Sequence, residues 1–356
     1  MADTRITDLF GIEVPILLAP MAGSADAELG IAVAEAGGLG SIPCAMFGPD
    51  QIRAQVGVYR QRTSRPLNLN FFCHMMMDAD PAQESAWRQR LAPYYKEFGL
   101  PPDASASGTP RVPFDETSCA LVEDLRPEVV SFHFGLPAGP LLRRVKATGA
   151  KVISSATNAM EARWLEAGGC DAIIAQGFEA GGHRGMFLTD EITGQVGTMA
   201  LVPQVADAVE VPVIAAGGIA DGRGIAAAFV LGASAVQIGT AYLRAPESKI
   251  NPMHRAALAA ASDSDTALTN IFSGRPARGV MNRLMREVGP MSDAAPAFPY
   301  AAGAVAPLRA VAEKAGSGDF LPLWSGQGVG LTREMPAGEL TRVLWREARG
   351  LMGDAG

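Results

Sequence analysis

Eight short apolar runs, most of them followed by an Ala-rich helical pattern, constrain this 356-residue chain more than any other feature. The runs lie at 14–19, 38–43, 66–71, 129–134, 151–155, 172–176, 212–216 and 235–238. Helical patterns over 27–36, 50–61, 140–148, 159–167, 199–209 and 222–231 separate them. Strands that alternate with helices pair in parallel. Eight such units predict an α/β chain folded as a closed (β/α)8 barrel rather than an open doubly wound sheet. The length suffices for one such barrel, and 48% hydrophobic residues supply its core.

Residues 1–243 are assigned to that barrel. Two segments break the repeat. Residues 73–126 are too many for a loop between a strand and its helix, and 81–98 within them has a helical pattern. Residues 244–300 are Ala/Ser/Asp-rich, then Arg/Met-rich, and predict a small helical lid domain over the barrel mouth. In 301–356 the last barrel helix is expected near 302–314, followed by a Ser-Gly-Gln loop and a C-terminal helix over 337–351.

Charge and targeting signals narrow the function. The formal charge is -7 and no dense Lys/Arg cluster is present, which argues against nucleic acid or an anionic membrane as partner. The start, Met1-Ala-Asp-Thr-Arg-Ile-Thr-Asp8, lacks the apolar stretch of a signal peptide. No apolar run approaches the roughly 18–20 residues of a membrane span. Cys44, Cys73, Cys119 and Cys170 are scattered, with no Cys-x-x-Cys pair. Reduced thiols in a cytoplasmic protein fit that spacing better than a disulfide frame or a metal site.

Polar residues gather where the strands end. In Val129-Val-Ser-Phe-His-Phe134, alternation puts Val129, Ser131 and His133 on the inner face, and Val130, Phe132 and Phe134 against helices. Asn68 and Asn70 share the inner face of the third strand, while Gln176 and Gln237 close the sixth and eighth. Active sites of this fold form at that rim. The sixth strand runs into Gln176-Gly-Phe-Glu-Ala-Gly-Gly-His-Arg-Gly185, with Gly181, Gly182 and Gly185 around one of only four histidines. Such a loop lets backbone amides approach a ligand. The flanking glycines predict an exposed His183 imidazole, available to chemistry or to a structural bond with a neighbour.

Ala215-Ala-Gly-Gly-Ile-Ala-Asp-Gly-Arg-Gly224 and Gln237-Ile-Gly-Thr240 follow strands seven and eight, where barrels place phosphate. The same residues also serve as tight turns, with Asp221 as a helix cap. Gly38-Leu-Gly40 lacks the third glycine of a dinucleotide fingerprint. Met21, in Ala19-Pro-Met-Ala-Gly23, suits either a flat aromatic cofactor or the core. His74 and His254 have no motif around them.

Taken together, Pro20-Met-Ala-Gly23, the 131–137 run, Glu179-Ala-Gly-Gly-His-Arg-Gly185, Ala216-Gly-Gly-Ile-Ala-Asp-Gly222 and Gln237-Ile-Gly-Thr240 resemble the nitronate monooxygenases, formerly called 2-nitropropane dioxygenases. The resemblance covers roughly residues 10–330. The 131–137 run and Leu323-Trp-Ser-Gly-Gln327 are similar to the class I members. The resemblance implies a TIM barrel with a small lid and one non-covalent FMN. By position, Gly217, Gly218, Gly239 and Thr240 would bind its phosphate. Gln176, Gly181 and Gly182 would line it, with Gln237 and Ile238 beside it, and Ala19, Met21 and Asn70 near the ring. His183 matches the family's catalytic histidine, while His133 and Tyr300 would face the substrate. The implied reactants are an alkyl nitronate of the propionate 3-nitronate type, or a nitroalkane, and dioxygen; the products are a carbonyl compound and nitrite. Monomer and homodimer both stay open. Two rival functions also fit: an FMN-dependent NAD(P)H reductase of quinones or enoyl thioesters, and a non-catalytic barrel that binds a phosphorylated ligand.

Overall fold

A computed structural model describes residues 3–104 and 111–353. Its main sheet holds eight parallel strands: β1 (Ile16–Leu18), β2 (Gly40–Pro43), β3 (Leu67–Phe72), β4 (Val129–His133), β5 (Lys151–Ala156), β6 (Ala172–Gln176), β8 (Val213–Ala216) and β9 (Ala235–Ile238). They run β1-β9-β8-β6-β5-β4-β3-β2, and a parallel bridge from Leu17 to Leu39 joins the two ends into a barrel. All eight expected strands are present. The remaining strands, β7 (Gly182–His183), β10 (Thr266–Thr269) and β11 (Ala277–Val280), form a separate antiparallel sheet in the order β10-β11-β7.

Side-chain alternation sorts the barrel interior into layers. The lower layer is apolar: Leu17, Leu39, Val129, Ile153, Ala172, Ile214 and Ala235 cluster with Ile6 and Phe10 of helix Arg5–Phe10. Above it the inward positions turn polar, with Asn70, Ser131, Ser155, Gln176 and Gln237 on the wall of one cavity. The opposite strand faces, including Val130, Phe132, Ile173 and Ile238, pack on the helices. Phe134 departs from the expected alternation. Its φ of 71° is left-handed, and its ring meets Phe72, His133 and Phe298 at the mouth instead of the helix layer.

Two expectations for the outer elements need correction. Helix Ala301–Lys314 is not a barrel helix: its residues share a second core with helix Pro81–Glu97, and Trp87 Nε1 donates to Ala301 O at 3.1 Å. The eighth helix position is filled by the C-terminal helix Ala337–Met352, which packs between helices Gly222–Val230 and Ala27–Glu35. Its Ala337, Leu340, Leu344 and Ala348 are fully buried, one per turn on a single face. The 244–300 span is also not purely helical. Besides helices Pro252–Ala260 and Arg283–Val288, it holds β10 and β11. Among the described residues no helix is long and apolar enough to cross a membrane.

Candidate active site

The cavity at the C-terminal ends of the strands measures about 430 Å³. One side is built from glycines. Gly217 and Gly218 follow β8 with φ of 118° and 70°, a backbone that L side chains resist, so their amides lie open to a ligand. Gly239 and Thr240 complete this side from the end of β9. The Ser325–Gly326–Gln327 turn lies across it: Gly326 N donates to Thr240 Oγ1 at 2.9 Å, and Gln327 N to Glu179 O at 2.9 Å. A Cβ on Gly181 would stand 2.6 Å from Gly326 N, so this contact requires glycine. Asp221 stays off the cavity wall; it caps helix Gly222–Val230 by accepting from Arg223 N and Gly224 N.

The other side carries Ala19, Met21, Asn70, His133, Gln176 and Gln237. Asn70 Nδ2 donates to Ser131 O and Oγ, which fixes its amide. Gln237 Oε1 is buried and has no hydrogen-bond partner among the described residues. Met21 serves both of its expected roles, lining the cavity and packing against both cores. Two expected residues lie elsewhere. The Ile238 side chain faces the helix layer, one step out of phase with Gln237. Tyr300 is not on the cavity wall; its hydroxyl donates to Met77 O at 2.8 Å.

His183 is held by its backbone on both flanks. As part of β7 it pairs with Ala277 of β11, so the lid sheet carries the histidine. Its carbonyl accepts from Gln176 Nε2 at 2.9 Å and from His133 Nε2 at 3.2 Å. His133 is therefore protonated at Nε2, and its Nδ1 accepts from Ser155 Oγ at 2.5 Å. Gln176 Oε1 accepts from Gly185 N at 2.7 Å, so that side chain fastens the loop as well as lining the cavity.

The His183 ring is half-buried rather than exposed as expected. Phe72, Phe134, Phe298 and Trp324 have ring centroids 5.6–6.3 Å from it. Its Nε2 shares a 2.9 Å hydrogen bond with Ser273 Oγ, from the turn between β10 and β11. Burial first, then the charge of Arg111, holds the His183 pKa well below the ordinary histidine value. Burial likewise pushes His133 down to about 3, with Arg275 and Arg184 adding to it against the opposing carbonyl bond. Both rings are neutral at pH 7.

Beneath this loop lies a buried polar chain. Arg184 donates to the carbonyls of Gly177 and Gln176 and to Gln195 Oε1. Gln195 Nε2 donates to Thr157 Oγ1, which donates to Glu161 Oε2. Glu161 Oε1 accepts from Phe187 N and Leu188 N, beyond the histidine.

Sequence reasoning missed several wall residues. His254, which had no motif, lines the cavity and donates from Nε2 to Trp324 O at 3.0 Å. Arg111, Lys249 and Arg309 also line it, so the cavity has the cations that no sequence cluster revealed. They come from three separate segments of chain.

Comparison with known proteins agrees with the geometry. The nitronate monooxygenase family model matches residues 3–347. A nitronate monooxygenase of Pseudomonas aeruginosa is 44% identical over 349 residues, 97% of this chain and 99% of that one. The solved nitroalkane oxidase of Streptomyces ansochromogenes superposes with a TM-score of 0.88 at 38% identity, covering 99% of this chain and 100% of that one. FabK of Thermotoga maritima superposes with a TM-score of 0.72 at 29% identity, covering 99% and 98%. The chain belongs to the nitronate monooxygenase family, a family of oxidoreductase enzymes.

Proposed function

We propose that this enzyme holds one FMN non-covalently in the barrel-mouth cavity and oxidises alkyl nitronates with dioxygen to a carbonyl product and nitrite. The observation that carries this reading is the convergence, on one cavity, of the Gly217/Gly218 and Gly239/Thr240 turns with Asn70, Gln176, Gln237 and His183. The donor set fits a flavin mononucleotide. Open glycine amides suit a phosphate. The orphaned Gln237 Oε1 is an acceptor that a ring N–H would satisfy. When bound, the flavin supplies the electron-accepting chemistry that amino-acid side chains lack.

The protein's own part is positioning and electrostatics. A nitronate arrives already deprotonated, so a strong base is not needed. The Ser273 hydroxyl has two acceptors for its one proton, His183 Nε2 at 2.9 Å and Arg275 O at 3.3 Å; in the tautomer in which it donates to Nε2, His183 carries its proton on Nδ1 and donates to the nitronate anion. Kept neutral, His183 does so without releasing that proton. The aromatic rings around it thin the water at the reacting end and strengthen that hydrogen bond. Acid release of the flavin followed by mass analysis tests the cofactor; nitrite formation from propionate 3-nitronate in air tests the reaction. Recovery of FAD, or no nitrite, refutes the proposal.

The cations on the wall favour one second reading, an FMN-dependent NAD(P)H reductase, because Arg111, Lys249 and Arg309 suit phosphates. Flavin reduction by NADH without oxygen distinguishes it.

A further inference from the structure

Three cations and one carboxylate, Glu313, stand on the cavity wall among the described residues. Two of the cations are already paired. Lys249 Nζ lies 3.5 Å from Asp26 Oδ2, and an Arg309 guanidinium nitrogen 3.1 Å from Glu313 Oε1. Arg111 has neither an ion pair nor a hydrogen-bond acceptor for its guanidinium among the described residues. The six residues before it, 105–110, contain no Asp or Glu. It is nevertheless held in place. His74 Nε2 donates to Arg111 O at 3.0 Å, and the guanidinium carbon lies 5.4 Å from the centroid of the Phe298 ring. That ring packs in turn edge-on against His74 and His183, with centroids 4.8 and 5.6 Å away.

A guanidinium fixed in a half-buried wall without a counter-ion is costly, and an anion entering from the cavity removes that cost. Burial and then the charge of Arg309 lower the Arg111 pKa, and the Arg111 field in turn reaches His183. The guanidinium fork matches two oxygens on one planar centre, the shape shared by carboxylates and nitronates.

We infer that Arg111 selects the charge of the substrate, gripping a planar oxyanion beside His183 and giving no such hold to a neutral nitroalkane. This rests on the nitronate oxidation proposed above. Arg111→Gln should raise KM for a nitronate about 10–100-fold, the loss of a charge-assisted hydrogen bond. kcat should fall much less, and flavin content and KM for a neutral nitroalkane should not move. Nitrate, a planar anion that cannot be oxidised, should inhibit the wild type competitively and lose its effect in Arg111→Gln. Arg111→Lys, which keeps the charge without the fork, should lie between.

A folded, flavin-loaded Arg111→Gln with wild-type KM and wild-type nitrate inhibition overturns the inference. If the wild type oxidises no nitronate, the functional proposal fails instead. Calorimetric titration with nitrate then still decides Arg111: binding lost in Arg111→Gln supports the anion site, and equal or absent binding in wild type and variant refutes it. Should Arg111→Gln not fold, Arg111→Lys carries the same comparisons.

Discussion

Replacing Glu161 by Gln tests how the barrel holds its histidine loop. The side chain is fully buried, and its two carboxyl oxygens accept four hydrogen bonds. Oε2 takes Thr157 N at 2.7 Å and Thr157 Oγ1 at 2.8 Å; Oε1 takes Phe187 N at 2.7 Å and Leu188 N at 3.2 Å. Gln offers one oxygen and turns an NH2 toward the other pair of donors. With the NH2 toward Thr157 the hydroxyl can turn to accept, but the buried Thr157 amide loses its acceptor, at about 1–3 kcal/mol. The unfolding entropy of a chain this long is about 0.75 kcal/mol per degree, so Tm should fall by about 1–4 °C. Differential scanning calorimetry of flavin-loaded Glu161→Gln reads this directly. Turnover should fall as well, because Phe187 and Leu188 continue the segment that carries His183. An unchanged Tm would refute the claim that this carboxyl group anchors the loop.

Two further perturbations probe the site. His183→Asn should keep its flavin, whose expected contacts are the glycine turns, but lose turnover by about 10²–10⁴-fold. Because the lost group is the donor to the nitronate anion, the loss should be at least as large with preformed nitronate as with a neutral nitroalkane, and steady-state rates on both substrates check this. Acid should destabilise the fold before carboxylates protonate. Burial pushes His74 and His254 down to about 4 each, against 6.5 for a free imidazole. Between those limits the unfolded chain binds more protons, so stability falls as pH drops. At pH 5.5 each of these histidines, and His133 with them, should withdraw about 1.4 kcal/mol, and His183 acts in the same direction, so Tm should fall by at least about 6 °C relative to pH 7.5. Melting curves at the two pH values test this, and equal Tm values would contradict it.

The barrel was legible because its signal is local. The strands are short apolar runs, alternation put Asn70, Ser131 and His133 on the inner wall, and Gln176 and Gln237 stood out as the polar residues that close strands six and eight. The glycine turns after β8 and β9 were legible for the same reason. What failed was long-range. Helix Ala301–Lys314 and helix Ala337–Met352 have similar lengths, and sequence order favoured the first as the eighth barrel helix, although the second has the stronger one-sided apolar face. The β10–β11 hairpin was missed because Gly182 and His183, its third strand, lie about 90 residues upstream. Phe134 left its expected face through one left-handed residue, a conformation a Phe does not advertise. Arg111 sits in the insertion after β3, and only the folded mouth brings it near His183.

Which donor reduces the bound flavin separates a nitronate oxidase from a nicotinamide-dependent reductase. The direct measurement mixes flavin-loaded enzyme, without oxygen, with propionate 3-nitronate or with NADH at the same excess, and follows the flavin absorbance. The nitronate should bleach the oxidised spectrum within the time of turnover, and NADH should leave it intact. Rapid bleaching by NADH with none by nitronate would contradict the account and make the protein a nicotinamide-dependent reductase.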